Sequence, residues 1–440
     1  MTDFDTLIVG AGIAGLTAGR ILTGDGQRVA ILEARDRLGG RVWTSRADGE
    51  VIDYGASWIH GVDGNPVAHA VKAFGMRTLE FTVGSYQPDG RPIAHYSPTG
   101  SRLGDEAAQR FSSDIHSFSD RLAATIAASE PNTSFGEAVE STLAQLKWDA
   151  DRSMPVREFL QHRAEEQLGV CMDDLDAHGL DDDAIEGDEV VFPDGYDELA
   201  RHLAEGLDVR LEHIVTRVQW SPTGVTVETS QGRFSADRVV VTVPVGVLKS
   251  REFVLDPPLP EPLSGALDRL EMNAFEKVVL RFPQKFWDDD VYAIRQQGEA
   301  GRWWHSWYDM TALSGSPTLL TFAAGPCATA TREWPDSQIA DSVLDALRGL
   351  YGDRVVQPDA VHVTRWQDDP YTSGSYSYMT VGSDRLDHDV LSTPIEGVLH
   401  IAGEATWTDD PATVTGALKS GHRAAEQILG HAVLFTAIWS

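Results

Sequence analysis

The hydrophobic positions of this chain change period several times, and each change predicts an element. Leu7-Ile8-Val9 and Val29-Ala30-Ile31-Leu32 are short, nearly all-apolar runs, the pattern of parallel strands buried on both faces. A helical stretch starts near Ile13 between them. Val51-Ile52 reads as a strand running into a small-residue turn, and Asn65-Pro66 opens the next helix. From Leu103 to about Gly169 the spacing is helical, in segments such as EAVESTLAQLKWDAD and VREFLQHRAEEQL. Pro131-Asn132-Thr133 and Ser153-Met154-Pro155 punctuate it, each supplying a polar cap or a proline near a helix start. After a helix leading to Gly206, Val209 to Glu212, Ile214 to Val218 and Gly224 to Thr229 read as strands ended by turn signals. Ala236 to Val243 and Phe275 to Phe282 are further strands, Ala340 to Leu350 is an amphipathic helix, and His400 to Gly421 reads as strand, loop and helix.

The glycines between the first two strands give that pattern a chemical meaning. Gly10 allows a tight turn, Gly12 lets a pyrophosphate approach the backbone, and Gly15 lets the helix pack close on the strand. Phosphates would sit on the helix N-terminus, where free N–H groups and the helix dipole favour negative charge. Glu33 follows eighteen residues after Gly15, at the end of the second strand, where an acid accepts hydrogen bonds from a ribose diol. The stretch therefore predicts a bound dinucleotide.

At 440 residues the chain exceeds one compact core and suits two domains sharing an interface. Its 36 basic and 67 acidic residues give a formal charge of -31, which argues against nucleic acid as a partner. Attraction of cationic small molecules is one reading of that charge, and solubility or adaptation to salt is the other. With only Cys171 and Cys327 a disulfide framework is not expected, and a reducing, cytoplasmic compartment fits. The first strand begins almost at the N-terminus, which predicts no signal peptide. No apolar stretch approaches the roughly 20 residues that span a bilayer, so no membrane partner is expected. The apolar last ten residues, HAVLFTAIWS, are predicted to dock on the protein or on a second subunit, in a monomer or homodimer. No residue set is assigned to a metal.

Longer motifs narrow the dinucleotide and the chemistry. The ARDRLGGRVWT stretch after Glu33 resembles the second signature of the glutathione-reductase-like FAD superfamily, which implies FAD more than NAD. GASWIHG followed by Asn65-Pro66 resembles the flavin-dependent amine oxidases, and among them most the polyamine oxidases. TVPVGVL at Thr242 to Leu248, FEKVVLRF with Phe286-Trp287, WQDDPYTSGSYSY at Trp366 to Tyr378, HIAGEAT and PATVTGALKSG carry the same resemblance. It implies an α/β fold with a Rossmann-like, glutathione-reductase-like FAD domain formed by residues 1–75, 187–262 and 380–430. An α+β substrate domain, 76–186 and 263–379, would be inserted discontinuously with a helical part, leaving 431–440 as a tail. The implied reaction moves a hydride equivalent from the carbon next to nitrogen to flavin N5, then hydrolyses the imine. O2 reoxidises the flavin to give hydrogen peroxide. Polyamines are the first choice of substrate, and a monoamine or another secondary amine is the second.

The same resemblance distributes roles over the chain. Lys277 matches the lysine that holds a water against flavin N5, and His60 matches an active-site residue. By themselves, a lysine in an apolar strand could as well reach solvent from an edge, and one histidine beside a tryptophan is more often structural. Trp366, Tyr371 and Tyr376 are implied as aromatic walls near the flavin, with Trp58 and Thr413 in the substrate pocket. Gly10, Gly12, Gly15, Glu33, Ala34, Arg35, Gly40 and Arg41 would hold the nucleotide end of FAD, and Val215 its adenine through the backbone. Gly55, Ala56, Ser57, Trp58 and Pro244 are expected along the cofactor, with Trp366 and Tyr371. Gly403 and Glu404 are expected at its ribityl and pyrophosphate part, and Thr413 and Val414 at the isoalloxazine carbonyl side. Ser375 stands where monoamine oxidases carry the cysteine bonded to FAD; a hydroxyl cannot form that thioether, so noncovalent FAD is expected. Thr413 departs from a second cage tyrosine.

Arg302 to Tyr308 gathers four aromatic rings, suited to a core face or to a pocket wall. Alternate residues of a strand point opposite ways, so only one set can line the pocket, and Trp304 is assigned to it. The acid-rich loop Asp181 to Glu189 is a solvated turn, or else one or two of its acids hold the distal ammonium of a polyamine at the pocket mouth. An L-amino-acid oxidase would carry an arginine in a GAMRxP-like motif where this chain reads GASWIHG. A histone demethylase is expected to need a docking module and a long helical insertion, for which a chain starting at its FAD strand is read as having no room. A flavin-binding interaction protein is disfavoured by Lys277, His60 and Tyr376 together.

Overall fold

The structure, a computed structural model, describes residues 2–83, 92–180 and 185–439. It is a mixed α/β fold built on two large sheets. In the first, the strands Phe4–Val9 and Val29–Leu32 run parallel, and Phe4–Val9 is also parallel to Gly232–Val241 on its other side. Gly232–Val241 divides its pairing. Its first half closes an antiparallel ribbon with Gly224–Thr229 and Val215–Ser221, and its last residues take Leu399–Ile401 in parallel. Because strand side chains alternate, Ile8, Ile31 and Val240 fill one core while Leu7, Val9, Leu32, Val239 and Val241 fill the other. That two-sided burial is why these runs carry almost no polar residue.

The helix Ile13–Gly24 follows the first strand after a turn in which Gly10 has φ +104°. A Cβ on Gly15 would lie 2.1 Å from the Gly10 carbonyl oxygen, so only glycine lets the helix start this close to the strand. Against it packs Val414–Leu429, from the far end of the chain, where a Cβ on Gly421 would lie 2.1 Å from the Ala14 carbonyl. The apolar tail ends on the same helices: Ile438 is buried in their core and Phe435 stacks on His422.

The second sheet has the order Ala360–Val363, Phe275–Arg281, Thr318–Ala324, Ser306–Asp309, Ala293–Gln296 and Ile93–Tyr96. One face carries Val278, Leu280, Trp307 and Leu319 into a core shared with the helix Asp336–Tyr351, whose Leu344 and Leu347 are buried there, and Trp304, just before the strand Ser306–Asp309, joins the same core. The other face presents Lys277, Tyr308 and Phe322 toward the first sheet. Three helices, Asp105–Ala127, Phe135–Leu146 and Ala150–Leu168, enclose a separate apolar core. Ser134 and Glu137 form a capping box at the second of them. Ser153-Met154-Pro155 does not mark a helix start: Asp149 caps the third helix by accepting from Arg152 N, and Pro155 lies inside it.

Candidate functional site

A single cavity of about 910 Å³ joins the two sheets. It begins at the turn after Phe4–Val9. Gly10 and Gly12 line it there, and a Cβ added to Gly12 would meet nothing within 4 Å, which leaves open space above the helix N-terminus. The carboxylate of Glu33, buried at the end of the second strand, accepts from Ala11 N at 2.7 Å and Arg35 N at 2.9 Å. Burial raises its pKa against those two donors, and each oxygen retains a second lone pair for a ribose hydroxyl. Ala34, Arg35, Gly40 and Val215 line the same end. Gly15 does not touch the cavity and acts only through packing.

The wall is then closed by residues from opposite ends of the chain. Arg41 donates to Glu404 Oε1 at 2.7 Å. Glu404 is buried and also accepts from Ser377 Oγ at 2.6 Å and Ala412 N at 3.1 Å. Arg35 donates to Asp369 at 2.6 Å with its guanidinium 5.0 Å from the Tyr371 ring centre. Both arginines of this wall are therefore committed to acids of the chain. Gly403, Thr413, Val414 and Pro244 continue the lining. Thr413 caps the helix Val414–Leu429 through Gly416 N at 2.9 Å and donates to Asp410 O at 2.7 Å, which commits its hydroxyl to the backbone.

These residues suit FAD on their own geometry: a side-chain-free helix N-terminus for phosphate, an acid two strands in for a ribose, and a long cleft beyond. Ser375, which lines that cleft, donates its hydroxyl to Phe275 O.

Beyond Gly55, Ala56 and Ser57 the cavity widens into an aromatic chamber. Trp58 stands 6.1 Å from Tyr308, Tyr308 5.6 Å from Phe322, Phe322 4.6 Å from Phe275, and Phe275 5.6 Å from Tyr376, between ring centres. Trp366 is buried beside it, its indole N–H donating to Tyr54 O at 2.9 Å and its backbone N to Glu276 at 2.9 Å. The ammonium of Lys277 donates to Asp53 O at 2.8 Å, to Gly55 O and to the Ser57 hydroxyl, so its three donors are all engaged by the turn that carries GAS. Presenting a water from Lys277 requires one of these to be given up. Burial lowers the Lys277 pKa to about 8, with Asp53 opposing the shift, and burial raises Asp53 to about 6.

At the opposite side of Trp58, His60 lies nearly parallel to its ring at 6.4 Å and is half exposed. Its Nδ1 is 2.5 Å from the carboxylate of Glu189, which is buried. Glu186 and Glu189 line the mouth; Asp181, Asp182 and Asp183 fall outside the described residues.

Besides Gly15, a second assigned residue lies away from the cavity. Trp304 points into the core behind the second sheet, where its indole N–H donates to Ser342 Oγ at 2.9 Å. Within the strand Ser306–Asp309, Tyr308 faces the chamber and Trp307 the core; Trp304 shares the parity of Tyr308 but precedes the strand, so alternation does not carry it to the chamber, and its pocket assignment is corrected to Tyr308. Phe275, Phe322 and Glu166 carry no site role in the sequence reading, whereas Glu189 falls in the loop whose acids have the pocket mouth as one reading. Glu189 closes the acid run read as a loop, whereas Glu166 sits among the polar residues of the helix Ala150–Leu168 and gives no local signal.

Residues 13–429 match the family described as flavin containing amine oxidoreductase. Lysine-specific histone demethylase 1 homolog 2 of Oryza sativa subsp. japonica is 33% identical over 441 residues, 96% of this chain and 56% of that protein. The protein of the same name from Arabidopsis thaliana is 33% identical over 445 residues, covering 97% and 59%. The chain thus spans a little over half the length of these curated relatives. Among solved structures, a putrescine oxidase double mutant redesigned in cofactor binding superposes with a TM-score of 0.78 at 26% identity, over 97% of this chain and 99% of that one.

Proposed function

This chain belongs to the family of flavin containing amine oxidoreductases, and we propose that it oxidises a polyamine-type amine with noncovalent FAD and O2. The observation that carries the reading is the placement of the Lys277 ammonium at the inner end of an aromatic chamber continuous with the dinucleotide cleft. Bound FAD would supply the acceptor for the hydride equivalent from the carbon next to nitrogen. The helix N-terminus at Gly12, Glu33 and the Arg41–Glu404 wall would hold it. Trp58, Tyr308, Phe322 and Tyr376 enclose the substrate, exclude water and orient that carbon. Their faces attract an alkylammonium by about 0.5 to 2 kcal/mol each. Glu186, Glu189 and half-exposed His60 at the mouth suit a second cationic group farther along the substrate. Engagement of Arg35 and Arg41 by Asp369 and Glu404 leaves neither to grip an α-carboxylate, which supports an amine over an amino acid.

A methylated lysine side chain in a peptide is the second reading, favoured by the plant relatives at 33% identity. Anaerobic bleaching of the yellow protein by putrescine and spermidine, compared with a monoamine, a methyl-lysine peptide and an L-amino acid, tests both. Bleaching by the di- and polyamine is expected, with peroxide formed in air. FAD-loaded protein that no amine reduces would overturn the reading.

A further inference from the structure

The helix Ala150–Leu168 ends behind the chamber and buries there a set of charged groups that neither Lys277 nor the cofactor cleft uses. Glu166 is the member that reaches the cavity. Its side chain is 5% exposed, it lines the chamber, and its Oε2 accepts from the Tyr308 hydroxyl at 2.9 Å. Arg295 Nη2 stands 4.0 Å behind that oxygen, and His305 Nδ1 lies 3.4 Å from the other. His305 Nε2 faces Glu165 at 3.7 Å, and Glu165 accepts from Gln161 at 2.6 Å. His162 stacks on His305 at 3.8 Å and 5°. The ligand atoms of His162, Glu165 and His305 lie within 4.8 Å of one another, but parallel stacked rings present faces to each other rather than converging lone pairs on an ion.

Burial keeps both imidazoles neutral at physiological pH, His162 down to about 3 and His305 well below its ordinary value. The Arg295 guanidinium is then the cation that stands nearest Glu166 in this group. The same burial pushes Glu165 up to about 7 and raises Glu166, while Arg295, Ser306 and Tyr308 favour the ionised form of Glu166. Burial raises the pKa of Tyr376, and the carboxylates of Glu166 and Glu404 add to that shift.

An amine that loses hydride from its α-carbon needs the nitrogen lone pair, which an ammonium lacks. An alkylamine is neutral in only about one molecule in 10³ at pH 7. We propose that Glu166 is a catalytic residue that takes the proton from the substrate ammonium inside the chamber, so that the amine offered for oxidation is neutral. This rests on the amine-oxidase reading above. The ammonium N–H bond breaks and a carboxyl O–H forms: R–NH3+ and Glu166–COO− become R–NH2 and Glu166–COOH. No electrons are exchanged in that step, and the proton leaves to bulk water with the product.

Stopped-flow reduction of the flavin by a saturating diamine without oxygen, from about pH 6.5 to about pH 10, separates this role from support or binding. The parent rate is expected to show no tenfold-per-unit climb, because the ammonium and its acceptor are in the same complex; Lys277 at about 8 and Glu165 at about 7 titrate in parent and variant alike, so the ratio of variant to parent is the readout. In Glu166→Gln the proton must go to bulk water, so that ratio should climb about tenfold per pH unit and reach one near the pKa of the amine, with a deficit on the order of 10³ at pH 7. Glu166→Asp should narrow the deficit in part. A loss equal at every pH, or no loss, overturns the proposal; failure of any amine to reduce the parent overturns the amine-oxidase reading with it. Should the variants not fold, infrared difference spectra of the parent holoenzyme with an unreactive amine give the second measurement. A protonated-carboxyl band is expected on binding, and its absence overturns the proposal.

Discussion

At the dinucleotide end of the cavity the wall is largely backbone: Gly10 and Gly12, the N–H groups of Ala11 and Arg35 on Glu33, and a helix that starts where Gly15 permits. In the chamber the wall is side chain, contributed by Lys277, Tyr308 and Phe322 from three strands of the second sheet, by Glu166 from a helix and by Trp58 and Tyr376 from loops. A backbone wall fixes one shape and admits little substitution. A side-chain wall can change its chemistry residue by residue while its backbone stays in place, so on the proposed reading substrate choice resides there and cofactor choice in the cleft.

The sharpest way to break that contrast is Gly15→Ala. Its Cβ would sit 2.1 Å from the Gly10 carbonyl oxygen, and backbone cannot give way as a side chain can. We expect a loss of about 1 to 3 kcal/mol or more in stability and no retained FAD, so the chamber fails with the cleft although no residue in it has changed. A thermal melt and the flavin absorbance of the purified variant measure both; a yellow variant with the parent melting temperature would remove the packing account.

Lys277→Met should break the chamber alone. FAD should stay bound while flavin reduction or reoxidation slows by on the order of 10²; normal rates for both half-reactions would remove Lys277 from the mechanism. The same variant tests its protonation. Burial holds the folded pKa at about 8, below the ordinary 10.5, so between those values the unfolded chain binds more protons than the folded one. Parent stability should therefore rise with pH across that window, and the rise should be smaller in Lys277→Met.

The contrast also explains what was legible in the sequence. Gly10, Gly12, Gly15 and Glu33 are set by local spacing around one strand–helix–strand unit, and contiguous residues carry that information. FEKVVL shows Lys277 as an anomaly because a lysine interrupts an apolar run. Nothing local marks Glu166, whose function depends on Tyr308 and Arg295 more than a hundred residues away. Trp304 escapes the alternation of RWWHSWY because the strand begins only at Ser306, and no local period announces where it starts. Pro155 misled for a related reason, since the Asp149 cap and tertiary packing override its helix-breaking tendency.

Glu33→Ala is the converse test, a side-chain deletion at the backbone-built end. Two N–H donors lose their acceptor, at about 1 to 3 kcal/mol for buried groups, so FAD affinity should fall roughly tenfold to a hundredfold. With FAD in excess, kcat should return to the parent value, because the chamber is intact. A variant as yellow as the parent after dialysis would show that Glu33 does not hold the ribose.

The smallest expected effect lies at the mouth, where the chamber meets solvent. Glu189 is buried, yet its partner His60 is half exposed, so water and salt screen the charge that a passing cation feels. Glu189→Gln keeps the size of the side chain and a hydrogen bond to Nδ1 while removing the charge. A screened pair is worth up to about 1 kcal/mol, so KM for a polyamine should rise no more than about fivefold, with kcat unchanged. The monoamine KM should not move, because a short substrate does not reach His60 from the Lys277 end. Added salt should shrink the polyamine difference, since screening already attenuates the parent. An equal rise in KM for monoamine and polyamine would instead mean that Glu189 supports the chamber wall through His60 and Trp58, and would move the mouth from substrate choice to structure.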